Sequence, residues 1–183
     1  AFDFFPPLRG NRIAVAALSG GEGVIATDWC CREGLSMAKM SPETVDKLQA
    51  VSPPWGTPSN PFDLGVSMQF HPMDEVLKGF FESMADDPNV DCIAIQLEMI
   101  GTLLLAGLDE FPSLLSILRE KGKPFTIWMV GRNPQERELV EKLESNHIPV
   151  YTSSERAAKA FSALYRYNIM QKGASKSKGK QMR

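Results

Sequence analysis

The stretch Ser19–Gly23 holds residues whose types and spacing could bind an anion. It reads Ser-Gly-Gly-Glu-Gly and lies between an apolar run, residues 12–18, and a segment of helical character, residues 24–33. Glycines allow a tight turn that brings backbone N–H groups close to a ligand, and the start of a helix adds partial positive charge. This order predicts a phosphate or anion cradle formed by Ser19, Gly20, Gly21 and Gly23.

The same loop also fits a tight strand-to-helix turn whose glycines serve packing alone, and the residues leave both interpretations open. It is not a P-loop, because no Gly-Lys-Ser/Thr follows, and the full Gly-x-Gly-x-x-Gly dinucleotide fingerprint is absent. Glu22 opposes an anion site, since a carboxylate beside the cradle repels phosphate.

Three further polar residues are candidates for a supporting role at such a site. Asn60 and Asp63 flank a proline in Asn60-Pro61-Phe62-Asp63, a loop that can lie beside the first one in a doubly wound sheet. An Asx turn with a helix cap is the simpler use of these two residues. Glu98 follows a central apolar strand, at the end where α/β proteins bind ligands.

The sequence offers no catalytic residue and no metal site. His71 and His147 stand at turns, and neither lies in a glycine-rich segment. No Ser-His-Asp or Cys-His pattern is readable. The three cysteines include an adjacent pair but no Cys-x-x-Cys, which argues against a zinc site and against a disulfide framework. Reduced thiols are typical of the cytoplasm, where we expect the protein to work.

The spacing of apolar residues along the chain predicts strands and helices that alternate. We predict strands at residues 12–18, 35–39, 62–66, 91–97, 124–130 and 148–151. We predict helices at residues 24–33, from Ser41 to before Ser52, and at residues 71–85, 103–108, 111–121, 134–145 and 154–167. Strands separated by helices imply right-handed crossovers and a parallel sheet covered on both faces. The expected fold is α/β: a flavodoxin-like, doubly wound parallel sheet of five or six strands.

Composition bounds the domain organisation. The chain has 183 residues, 43% of them apolar and 23% charged, which suits one globular domain, and no apolar run is long enough for a membrane span. We assign residues 1–170 to that domain and residues 171–183, which are basic and rich in small residues, to a flexible tail or linker. We expect no nucleic-acid partner. The start at Ala1, in an apolar segment, suggests a piece of a longer polypeptide.

Five short motifs in order resemble the CoA-ligase domain of ADP-forming acyl-CoA synthetases, from about residue 9 to residue 167. They are Gly10-Asn11-Arg12-Ile13-Ala14-Val15; Ser19-Gly20-Gly21-x-Gly23-Val24 with Asp28; Asn60-Pro61-x-Asp63-Leu64; Asp86-Asp87-Pro88-Asn89-Val90-Asp91; and Lys123-Pro124 with Ile148-Pro149-Val150-Tyr151 and Ser154-Glu155-Arg156-Ala157.

This resemblance implies a function as well as a fold. The family, which includes succinyl-CoA synthetase, reversibly couples acyl-CoA, ADP and phosphate to acid, CoA and ATP through an acyl phosphate and a phosphohistidine. The partners implied are CoA-binding, phosphohistidine-bearing and ATP-grasp domains of the same enzyme. CoA, ADP or ATP and Mg²⁺ are expected in the full enzyme, with none bound by this domain. Its role would be a glycine-rich helix N-terminus near the phosphohistidine and contacts between domains.

The sequence departs from the family pattern at one position of interest and leaves alternatives. Glu22 stands where relatives usually carry proline or a small residue. A regulatory or scaffold domain in a protein acetyltransferase fusion would share these motifs without ligase turnover. An FMN carrier is disfavoured, because the first loop is not rich in Ser or Thr. A homodimer is left open.

Overall fold

Six parallel strands form one sheet in the computed structural model, which describes residue 5 and residues 8–97, 111–130 and 134–181. The strands are β1 (Arg12–Ala17), β2 (Ser36–Met37), β3 (Phe62–Asp63), β4 (Cys92–Gln96), β5 (Phe125–Trp128) and β6 (Val150–Tyr151). The helices of the described residues are α1 (Gly20–Arg32), α2 (Pro42–Gln49), α3 (Leu64–Ser67), α4 (Met73–Asp86), α5 (Phe111–Glu120), α6 (Pro134–Ser145) and α7 (Ser154–Gln181).

The strand order β2-β1-β4-β5-β6 confirms the predicted doubly wound, flavodoxin-like sheet. All strand pairs are parallel. Strand β3 shares the outer side of β1 with β2. The pair Arg12 and Ser36 lies near the start of β1, whereas Ala16 pairs with Phe62 near its end. The order therefore reverses between β1 and β4, and in such sheets ligands bind outside the carboxyl ends of the strands at this point.

Both faces of the sheet are covered, which explains why its strands are apolar without alternation. On one face, Val15, Trp128 and Phe161 belong to a cluster that α1 and α7 cover. On the other, Ile93 and Phe125 pack with the aromatic residues of α4. No helix of the described residues is both long and apolar enough to span a bilayer.

An ion pair joins β1 and β4 at their amino ends. The Arg12 guanidinium donates from Nε to Asp91 Oδ2 at 2.8 Å and from Nη2 to Oδ1 at 2.9 Å. The Arg12 backbone N–H also donates to Oδ2, at 2.9 Å. Burial opposes ionisation of Asp91, but these hydrogen bonds outweigh it, so the pKa of Asp91 lies below its ordinary value. The motif that contains Arg12 and the motif that contains Asp91 thus form one structural contact, at the opposite edge of the sheet from the carboxyl ends of its strands.

Local capping moves two predicted boundaries. Helix α1 begins at Gly20 rather than at residue 24, because Ser19 caps it and the glycines form its first turn. The predicted strand over residues 62–66 ends at Asp63, because that side chain caps the short helix α3. The predicted helix at residues 103–108 lies outside the described residues.

Helix α7 continues to Gln181, although we predict a helix ending at residue 167 followed by a tail. No proline interrupts residues 168–181, and Lys, Gln and Ala favour helix, so Gly173 and Gly179 alone do not end it. The Asn168 side chain donates to the Leu8 carbonyl, and residues 169–173 beyond it are exposed. The flexibility of residues 171–183 stays a prediction.

Candidate functional site

The first turn of α1 presents free backbone donors at the carboxyl end of β1. Ser19 has extended backbone, and its Oγ accepts from the Glu22 N–H at 3.3 Å. Gly20 and Gly21 are exposed, and their N–H groups have no partner among the described residues. The orphan N–H groups and the dipole of a helix start favour an anion at this place. Anion binding by the cradle stays a prediction: the N–H groups of Gly20 and Gly21 are unpaired among the described residues, whereas the Ser19 hydroxyl already accepts from Glu22.

Gly23 has a different role from its neighbours. Its N–H donates to the Ser19 carbonyl at 3.1 Å, so it is not free for a ligand. The residue is buried, and a Cβ built on it would lie 3.2 Å from the Pro61 ring. Gly23 therefore allows α1 to pack closely on the loop before β3. At this position the glycine serves close packing, as in the interpretation of the loop as a tight strand-to-helix turn.

The Asp63 carboxylate lies next to the start of α1. Its Oδ1 accepts from the Val66 N–H at 2.9 Å and caps α3, as the Asx-turn interpretation expects. Its Oδ2 would be 3.2 Å from a Cβ built on Gly20. Asp63 therefore stands at the predicted site, but with a negative charge that opposes an anion there. Together with Glu22 in the first turn of α1, it partly neutralises the helix dipole.

Asn60 is brought to the sheet rather than to the helix start. Its Oδ1 accepts from the Val15 N–H at 2.9 Å, and its Nδ2 donates to the carbonyls of Ile13 at 2.9 Å and Ala38 at 3.0 Å. Strand β2 pairs with the start of β1 and strand β3 with its end, and the Asn60 side chain bonds to the backbone of β1 between these two regions. The Asn60 side chain therefore serves the fold. The third supporting candidate, Glu98, lies outside the described residues.

Sequence reasoning missed Gln96, the last residue of β4. Its Oε1 accepts from the Leu18 N–H at 3.1 Å, directly before the cap of α1, and the residue is only 1% exposed. A glutamine inside the apolar run of residues 92–97 was the feature that could have identified it. It lies where β1 and β4 diverge, the usual place for a ligand in this fold.

The two histidines take structural places. His71 Nε2 lies 3.1 Å from the Ser52 carbonyl. His147 has a φ of 58°, as expected for its turn between helix and strand. No group of three or more His, Cys, Asp or Glu residues that could hold a metal ion occurs within the described ranges.

Comparison with known proteins identifies the relatives. No protein-family model matches the chain. It is 28% identical over 167 residues to acetate–CoA ligase (ADP-forming) II of Archaeoglobus fulgidus, covering 91% of this chain and 24% of that protein. It is 32% identical over 168 residues to the alpha subunit of acetate–CoA ligase (ADP-forming) II of Pyrococcus furiosus, covering 88% of this chain and 35% of the subunit.

A solved structure supports the same assignment. The apo form of the dinucleotide-forming acetyl-coenzyme A synthetase 1 of Ca. Korarchaeum cryptofilum superposes with a TM-score of 0.74 at 25% identity, over 95% of this chain and 37% of that one. The chain thus spans about a quarter to a third of the length of the curated relatives above. By sequence and by fold, the chain is a homologue of one segment of the ADP-forming acyl-CoA synthetases.

Proposed function

We propose that the chain is a non-catalytic domain of an ADP-forming acyl-CoA synthetase, in which the first turn of α1 stabilises the phosphoryl group on a histidine of another domain. The observation that carries this proposal is the pair of exposed N–H groups of Gly20 and Gly21, which have no partner among the described residues, at the topological switch point. Donors fixed on a helix need no reorganisation when charge develops, which is how such groups lower a barrier.

The other parts of the reaction are assigned to other domains. CoA, ADP or ATP and Mg²⁺ would bind to the CoA-binding and ATP-grasp domains, and the phosphohistidine would lie on the remaining one. A scaffold role in an acetyltransferase fusion is not favoured, since the relatives reported above are ligases. We place the enzyme in the cytoplasm, in keeping with three free cysteines, two of them buried.

Gly21 gives the sharpest test. No heavy atom of another described element lies within 4 Å of a Cβ built there, so a larger side chain would cover the N–H groups without disturbing the core. Gly21→Val in the assembled enzyme should slow formation of phosphohistidine from ATP, and its decay with ADP, by two to three decades. That loss corresponds to about 3–4 kcal/mol of barrier, typical for losing one anion-stabilising donor.

Melting curves separate this effect from damage to the fold. Gly21→Val should leave the melting temperature nearly unchanged. Gly23→Ala serves as the matched control: its Cβ would meet the Pro61 ring at 3.2 Å, so it changes packing while leaving the Gly20 and Gly21 donors in place, and the rate should stay near that of the wild type. A stable Gly21→Val enzyme with a normal rate would show that the whole loop is a packing turn.

A further inference from the structure

Three side-chain atoms within the described residues are buried without a hydrogen-bond partner: Gln96 Nε2, Thr126 Oγ1 and Trp128 Nε1. All three residues are at most 1% exposed. Most buried polar groups in native proteins are hydrogen-bonded, and each exception calls for a physical explanation. The explanation here should be common to all three, because the residues are neighbours in the sheet.

The three residues lie on the same face of two adjacent strands. Gln96 of β4 pairs directly with Trp128 of β5, and Ala94 pairs with Thr126. Side chains two residues apart in a strand share a face. Ala94 and Trp128 both belong to the cluster covered by α1 and α7, so Gln96 and Thr126 face the same way. Gln96 and Trp128 therefore lie side by side at the carboxyl ends of β4 and β5, and Thr126 lies two residues before Trp128 on the same face.

The chemistry of the three groups determines which kind of hydrogen-bond partner they require. An indole N–H can only donate, and the carboxamide nitrogen of Gln96 also only donates. The carboxamide oxygen is already occupied, because it accepts from the Leu18 N–H at 3.1 Å. The hydroxyl of Thr126 can donate or accept. Gln96 and Trp128, which pair directly, each present an N–H donor without an acceptor, and Thr126 adds a hydroxyl on the same face. A single oxygen atom between them would accept from both donors.

We propose that the carboxyl ends of β4 and β5 enclose one oxygen atom that accepts hydrogen bonds from Gln96 Nε2 and Trp128 Nε1. Its source is either an internal water or an oxygen of a phosphate held at the start of α1. Buried waters usually make about three hydrogen bonds to groups that otherwise lack partners, and Thr126 supplies the third. With water as the source, the site stands independently of the proposed function, whereas a phosphate source rests on it.

The enclosed oxygen gives Gln96 a positioning role. By fixing the carboxamide, it fixes the hydrogen bond to the Leu18 N–H, one residue before the cap of α1. The Leu18 carbonyl also lies against Gly65 of α3, where an added Cβ would be only 2.1 Å from it, so a side chain at residue 65 would clash with this segment. The orientation of the first turn of α1 therefore depends on an oxygen bound between β4 and β5.

Nuclear magnetic resonance of the 183-residue chain tests the site directly. The indole N–H groups of Trp29, Trp55 and Trp128 give three signals, and Trp128→Phe identifies the third. A cross-peak between the Trp128 indole proton and water, unchanged by inorganic phosphate, would identify an internal water. A saturable shift of that signal on adding phosphate would identify a phosphate oxygen. Absence of both would overturn the proposal.

Gln96→Leu tests the coupling to α1. It removes one donor to the oxygen and the acceptor for Leu18, so the Trp128 indole signal should move and the Leu18 amide should exchange about five- to tenfold faster. Ile95→Val is the control, because Ile95 lies on the other face of β4 and should change neither readout. An unmoved indole signal in Gln96→Leu would contradict the shared oxygen. If that variant does not fold, the wild-type spectra decide alone.

Discussion

One oxygen of the Asp63 carboxylate lies beside Gly20, where an added Cβ would be only 3.2 Å from it. A negative charge therefore already stands at the helix end that we propose for a phosphoryl group. This charge should weaken the binding of free phosphate to the chain. It matters less for a phosphoryl group attached to a histidine of another domain, because the contact between the domains, and not the affinity of the anion, brings that group to the helix start.

Replacing Asp63 by Asn should tighten the binding of inorganic phosphate to the chain about fivefold at low ionic strength. Removing one unit charge a few ångströms from an anion is worth about 1 kcal/mol in water, and salt screens it. The Asn oxygen can still cap α3, so the fold should survive. Phosphorus resonance titration measures the affinity. Glu43→Gln, in the first turn of α2, is the control and should change nothing.

Asp91→Asn should lower the free energy of unfolding by about 1.5–3 kcal/mol at pH 7, because it disrupts charge-assisted hydrogen bonds with Arg12. The depressed pKa of Asp91 adds a pH dependence. Its stabilisation is present above the unfolded pKa of about 3.9 and is lost as the pH falls through the lower folded pKa. Urea unfolding at several pH values should therefore show the variant and the wild type converging in acid.

Asp86→Asn is the control for that experiment. Asp86 also forms ion pairs, at 2.8 Å with Lys121 and 3.4 Å with Lys47, but its side chain is 47% exposed. Exposed pairs contribute little, so this variant should lose less than about 1 kcal/mol. Equal losses from the two variants would refute a special role for the Arg12–Asp91 pair.

Backbone amides beyond Lys172 should exchange with solvent within the dead time of a hydrogen-exchange experiment. Helix α7 extends to Gln181, yet residues 169–173 are exposed and the segment beyond carries lysines between small residues. A helix end without packing frays. Amides near Phe161, which is fully buried, serve as the slow reference. Slow exchange at residues 176–180 would show a docked helix instead of a tail.

The isolated chain should fold and should make no ATP from an acyl-CoA, ADP and phosphate. It spans only 24% and 35% of two ligases that it resembles, and we assign the nucleophile and the nucleotide site to the remainder. A coupled luminescence assay, with a complete ADP-forming synthetase as positive control, measures this. Turnover by the purified chain would place catalytic groups within it.

The spacing of apolar residues, together with the Gly, Pro and capping residues that end each element, predicted most of the fold. The buried strands around Ile13, Ile93 and Ile127 were readable because sheets covered on both faces need continuous apolar runs. The start of α2 was readable from Ser41 and Pro42, a cap followed by a proline in the first turn. The start of α1 was predicted too late, because three glycines suggest a turn, whereas the Ser19 cap makes them helical.

The sequence indicated the segment of the candidate site but not the contacts of its residues. The strand–glycine–helix order marked residues 19–23, although it placed the helix start at residue 24 instead of Gly20. Only tertiary structure separates the roles of Gly21 and Gly23, since one faces solvent and the other faces Pro61. Gln96 could not be assigned a partner from sequence, because its hydrogen bond joins residues 78 positions apart.

The outer strands of the sheet are short on both sides. One edge consists of β2 and β3, placed one after the other along β1, and the other consists of β6, each only two residues long. Such edges offer a neighbouring chain almost no unpaired backbone to extend, and short edge strands are a common protection against aggregation. Association of this domain with other domains, or with a second copy, should therefore proceed through helices and loops and not through a continued sheet.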